Sequence, residues 1–162
     1  MAQPGRRADA VSVVEQAEPV GVAERAEPEI QCILADDNEV MLAALGGLLA
    51  GEEYRVIGHA RTGVETLHRL QELPTTALVL DLRLPDMDGV EVVRRAAEIL
   101  RRKTMIILHT SWADPAQVQA ALDAGARAVV LKDAPPDNLL AALRESIAGR
   151  VYIDPKLVRR KR

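Results

Sequence analysis

Short, mostly apolar runs alternate with amphipathic ones from Ile30 to Gly149, and this alternation limits the fold more than any other feature. The runs "IQCILAD" (30–36), "YRVIGHA" (54–60), "ALVLD" (77–81), "TMIILHT" (104–110) and "AVVLK" (128–132) read as buried strands. Between them, and after the last, lie "EVMLAALGGLLAG" (39–51), "GVETLHRLQEL" (63–73), "GVEVVRRAAEIL" (89–100), "DPAQVQAALDAG" (114–125) and "PDNLLAALRESIAG" (136–149). Their apolar residues recur at helical spacing, and glycine or proline closes most of them. Apolar strands alternating with helices imply a parallel sheet covered on both faces. Right-handed crossovers then lead to a doubly wound (βα)5 three-layer sandwich, α/β and flavodoxin-like, with five parallel strands.

Outside that span the sequence changes character. Residues 1–29 are rich in Ala, Glu, Pro and Val, with charges that follow no face, and read as a disordered tail. Residues 151–162 end in "KLVRRKR" and read as a basic linker stub. Net charge is −3, so no global attraction to nucleic acid is expected. No run approaches the roughly 20 apolar residues of a membrane span, and no signal peptide is evident. The expected location is cytoplasmic. The single cysteine, Cys32, lies in an apolar run and reads as a small core residue.

In a doubly wound sheet, ligands bind at the carboxyl ends of the strands. The first strand ends at Asp36 and Asp37, the third at Asp81, the fourth at Thr110 and Ser111, the fifth at Lys132. Three acids, a hydroxyl and an amine therefore meet at one edge. Clustered carboxylates repel unless a cation lies among them, and a hard ion such as Mg²⁺ suits such oxygens. An amine and a hydroxyl suit phosphoryl oxygens, and an aspartate can serve as a nucleophile in phosphoryl transfer. His59, His68 and His109 share no metal-ligand spacing, and His109 is expected to face away from the pocket, opposite Thr110.

The set resembles the receiver domain of two-component response regulators over about residues 30–150. The resemblance rests on the acidic pair 36–37, the D-x-x-x-P-x-M-D-G run from Asp81 to Gly89, Thr110–Ser111, A-L-x-A-G-A at 121–126, and Lys132. It implies Asp81 as the phosphoacceptor and Asp36 and Asp37 as Mg²⁺ ligands, joined by Asp81 and the backbone carbonyl of Arg83. It implies Thr110 as the switch and Lys132 as the partner of phosphate and Asp81. The donor would be a histidine kinase, and the output a change in dimer or partner affinity. Such a protein is no enzyme beyond its own phosphorylation and dephosphorylation. The stretch "LKDAPPDNLLAALRESIAGRVYIDP" further resembles LuxR/NarL-type regulators, here without the helix-turn-helix output domain, so neither direct DNA binding nor membrane contact is expected of this chain.

Four positions depart from the family pattern. Val129 stands where many receivers carry an aromatic, Asp133 follows the lysine in place of proline, and Arg83 and Trp112 are large residues flanking the phosphoryl position. A trans bond is expected at Lys132–Asp133. Trp112 either screens the phosphoryl group from water or contacts a partner. The alternative to an active switch is an interaction module indifferent to phosphorylation, which Val129 would favour. A phosphohydrolase of the dehalogenase type is disfavoured by Arg83, since that chemistry needs an acid there.

Overall fold

The computed structural model describes residues 29–101 and 104–159. The tail expected over 1–29 lies, apart from Glu29, outside the described residues. The elements run β1 (Ile30–Ala35), α1 (Glu39–Ala50), β2 (Tyr54–Ala60), α2 (Gly63–Glu72), β3 (Ala77–Leu80), α3 (Gly89–Leu100), β4 (Met105–Thr110), α4 (Pro115–Ala124), β5 (Ala128–Leu131) and α5 (Pro136–Ile147). Two short elements follow, β6 (Tyr152–Ile153) and α6 (Pro155–Val158).

All strands are parallel, in the order β2-β1-β3-β4-β5-β6. The expected doubly wound sandwich is present, but the sheet has six strands and not five. The sixth comes from residues read as a linker stub: Ala128 pairs with Tyr152 and Val129 with Ile153. The basic charges of this segment masked a two-residue strand, and α6 then begins at the Asp154 cap with Pro155 in its first turn.

Each face of the sheet has its own core. Leu42, Leu45 and Leu49 of α1 and Leu139, Leu140 and Leu143 of α5 pack with Leu34, Val79, Ile107 and Val130. On the other side Leu70 of α2, Val92 and Val93 of α3 and Ala121 of α4 pack with Ile33, Leu78, Leu80 and Leu108. Strand alternation sends successive side chains to opposite cores, which is why strands buried on both faces are apolar at every position.

Helix starts follow from side-chain caps on the loops that leave the strands. Asn38 accepts from Val40 N and Met41 N, Thr62 from Glu65 N, and Asp88 from Val90 N. Asp114 and Gln117 form a reciprocal capping box at α4. Gly89 is needed at the start of α3, because a Cβ there would lie 2.5 Å from Leu82 Cα. These caps fix the loops that carry the site.

Candidate functional site

The carboxyl ends of β1, β3 and β5 bring one amine between two acids. Lys132 Nζ lies 2.6 Å from Asp36 Oδ2 and 2.9 Å from Asp81 Oδ2. Both acids are nearly buried, and each uses its second oxygen to hold a loop. Asp36 Oδ1 accepts from Asn38 N at 2.9 Å, and Asp81 Oδ1 accepts from Arg83 N at 3.1 Å. Asp37 is exposed beside them, and the three acids each offer an oxygen within 4.8 Å of the others. Burial opposes the charge on Lys132, but its hydrogen bonds to Asp36 and Asp81 and their charges outweigh this and raise its pKa.

Three acids and one lysine carry a formal charge of −2 at the carboxyl ends of the strands. That donor set fits a hard divalent cation, which takes carboxylate and carbonyl oxygens. Arg83 is exposed and its backbone follows Asp81 in a short bridge to Asp88.

The backbone of β4 and β5 fixes the remaining groups. Lys132 N donates to Thr110 O at 2.8 Å, so the switch candidate and the lysine are neighbours across the ladder. Thr110 is buried, and its hydroxyl donates to Trp112 O at 3.2 Å. Ser111 is exposed. Trp112, 41% exposed, lines an apolar cleft with Pro115, Val118 and Leu157. Val129 is fully buried beside β6, so it fills core and presents no movable surface group. No cis peptide bond occurs among the described residues, so Lys132–Asp133 is trans as expected.

His109 does alternate away from Thr110, onto the face shared with Ile107. It is nonetheless close enough to the site to feel it. Burial first, and then the Lys132 charge, lower its pKa to about 4, with Asp36 acting in the opposite sense. Its Nδ1 is buried without a partner.

Two residues in this region escaped sequence reasoning. Asp86 accepts from Gly63 N at 2.7 Å and Val64 N at 3.0 Å, tying the loop after Asp81 to the start of α2. Asp154 is fully buried, and its Oδ2 accepts from Leu131 N at 3.2 Å, one residue before Lys132. The Asp-Pro pair at 154–155 was a readable helix-start signal, but its contact with β5 is set by the tertiary structure.

Comparison with known proteins points to one family. The response regulator receiver domain family matches residues 32–144. The transcriptional regulatory protein YvfU of Bacillus subtilis, itself described as uncharacterized, is 34% identical over 131 residues, covering 79% of this chain and 64% of that protein. DesR of the same organism, also a transcriptional regulatory protein, is 30% identical over 130 residues, covering 80% and 64%. The chain thus spans a little under two thirds of these relatives. Among solved structures, the isolated receiver domain of RcsB from Salmonella enterica serovar Typhimurium, with the phosphomimetic BeF3⁻, superimposes with a TM-score of 0.75. The pair is 25% identical, covering 81% of this chain and 97% of that one. A LuxR-family two-component response regulator from Aurantimonas sp. SI85-9A1 gives a TM-score of 0.72 at 26% identity, covering 79% and 91%. The strand order, the acidic edge with its lysine and the match over residues 32–144 agree: this chain belongs to the response regulator receiver domain family, and its relatives are LuxR/NarL-type regulators.

Proposed function

We propose that this chain is a phospho-accepting receiver in which Asp81 takes a phosphoryl group from the phosphohistidine of a sensor kinase. The observation that carries the reading is the Lys132 amine held 2.9 Å from Asp81 Oδ2 and 2.6 Å from Asp36 Oδ2 at the open edge of the sheet. A carboxylate oxygen of Asp81 attacks phosphorus as the bond from phosphorus to the kinase's imidazole nitrogen breaks, and the electron pair returns to that nitrogen. Lys132 meets the charge on the transferred oxygens, since such transfer is mostly positioning and charge neutralisation. Mg²⁺, held by Asp36, Asp37, Asp81 and the Arg83 carbonyl, would neutralise charge on the phosphoryl oxygens. Thr110 donates its hydroxyl to the new phosphate.

The reaction ends in a modified residue, not in a released metabolite, so the chain acts as a switch and not as a metabolic enzyme. In the full regulator, the switch would change dimer or partner affinity and so control transcription; a solved structure of RcsB contains dimers on DNA. The described helices pack on the sandwich, and in this role the chain makes no DNA contact of its own. No described helix is long and apolar enough to cross a membrane, and a cytoplasmic location goes with the receiver role proposed here.

Intact mass after incubation with acetyl phosphate and Mg²⁺ tests the reading, with Asp81→Ala alongside. One phosphoryl gain, absent from the variant, is expected. No gain in folded protein at saturating Mg²⁺ would favour the phosphorylation-independent interaction module.

A further inference from the structure

Residues 151–158, "VYIDPKLV", follow the last long helix and run back along the outer edge of β5. Tyr152 N donates to Arg127 O at 3.0 Å and Asp154 N to Val129 O at 2.8 Å. The ladder ends there, and the buried Asp154 carboxylate continues it by accepting from Leu131 N. Its other oxygen caps α6 through Lys156 N at 3.0 Å. Leu131 adjoins Lys132, whose own N–H is held by Thr110 O.

A second contact holds the far end of the segment. Leu157 packs against the core that includes Ala113 and Val129. Leu157 and Val158 face Trp112, Pro115 and Val118 across a cleft of about 270 Å³. Trp112 is in turn fixed by Thr110, whose hydroxyl donates to Trp112 O. Thr110 therefore stands behind both contacts, through its carbonyl on the Lys132 side and its hydroxyl on the Trp112 side.

We propose that the outer edge of β5 and the 111–118 stretch form a docking surface for this chain's own segment 151–159, with occupancy controlled by the Thr110 hydroxyl. The control rests on the function proposed above. A hydroxyl has one proton to donate. Once given to a phosphoryl oxygen on Asp81, it is withdrawn from Trp112 O. The turn at Ser111–Ala113 then loses its anchor, Trp112 parts from Leu157, and a segment held by a two-residue ladder opens. Phosphorylation is thereby converted into release of the sequence that leads out of the domain.

Amide hydrogen exchange on the full chain tests this, with wild type and Thr110→Val measured with and without acetyl phosphate and Mg²⁺, and intact mass taken from each sample. Valine keeps the size of Thr110 and removes the donor. Exchange over 151–159 should rise about fivefold in unphosphorylated Thr110→Val, the order set by one lost hydrogen bond. It should rise similarly in phosphorylated wild type, while α1 is unchanged. Leu157→Ala should also speed exchange there and leave phosphoryl uptake intact. Equal protection of 151–159 in wild type and both variants would overturn the proposal. So would a phosphoryl gain in wild type with no change in that segment. If the variants open the segment but wild type gains no phosphoryl mass, the docking surface stands and the assignment of Asp81 as acceptor falls.

Discussion

Lys132 and Asp81 are 51 positions apart in the chain and 2.9 Å apart in the fold. The amine is shared with Asp36, so its removal would leave two nearly buried acids facing each other. Lys132→Met should therefore cost about 3 kcal/mol of stability in the absence of divalent ions, the usual scale for breaking a buried pair. Added Mg²⁺ should recover part of that loss. Urea unfolding of wild type and variant, with and without Mg²⁺, measures both effects. Phosphoryl uptake should fall sharply in the same variant.

The same contact sets a limit at high pH. The Lys132 pKa is raised above its ordinary 10.5, so folding favours its charged form. The stabilisation is complete below 10.5 and is lost as pH rises through the folded-state value. The wild-type advantage over Lys132→Met should shrink in alkaline urea titrations and stay constant near neutrality.

At low pH a buried group that contributes is His109. Its folded pKa of about 4 lies below the ordinary 6.5, so the unfolded chain binds more protons between these values. The contribution of His109 should be complete above pH 6.5 and fall by roughly 3 kcal/mol on the way to pH 4. His109→Leu should flatten that limb. Urea midpoints at pH 7 and pH 5 for the two proteins make the comparison.

Two glycines should respond in opposite directions to alanine. A Cβ on Gly47 meets nothing within 4 Å, and the residue lies within α1. Gly47→Ala should stabilise by about 1 kcal/mol through helix propensity and a less free unfolded chain. A Cβ on Gly89 would strike Leu82 backbone atoms at 2.5 to 2.8 Å. Gly89→Ala should lower the melting temperature and displace the loop that follows Asp81.

Asp154→Ala should cost about 2 kcal/mol, because it strands the buried Leu131 N–H and removes the α6 cap together. Thermal unfolding measures the loss. Asp154→Asn keeps the acceptor and should recover most of it.

The first five strands and helices were legible because each strand is a short, mostly apolar run and most helices open on a capping side chain. Asp36, Asp37, Asp81, Thr110 and Lys132 were legible for a related reason: a polar residue that ends such a run can only sit at the sheet edge. β6 was not. Two residues carry no periodicity, and the pairing of Tyr152 and Ile153 is specified by Arg127, Val129 and a buried carboxylate at 154. The environment of His109 was half legible. Alternation gave its face, but the charge of Lys132 reaches it from another strand.

β6 also changes what the sheet offers to other chains. Without it, β5 would be a border strand of bare apolar residues, with Val129 and its neighbours open to strand addition and aggregation. With it, that border is only two residues long and is closed off by a buried acid and a helical turn. The opposite border, β2, carries exposed Arg55 and His59. A sheet bounded in this way discourages growth by strand-to-strand recruitment on both sides.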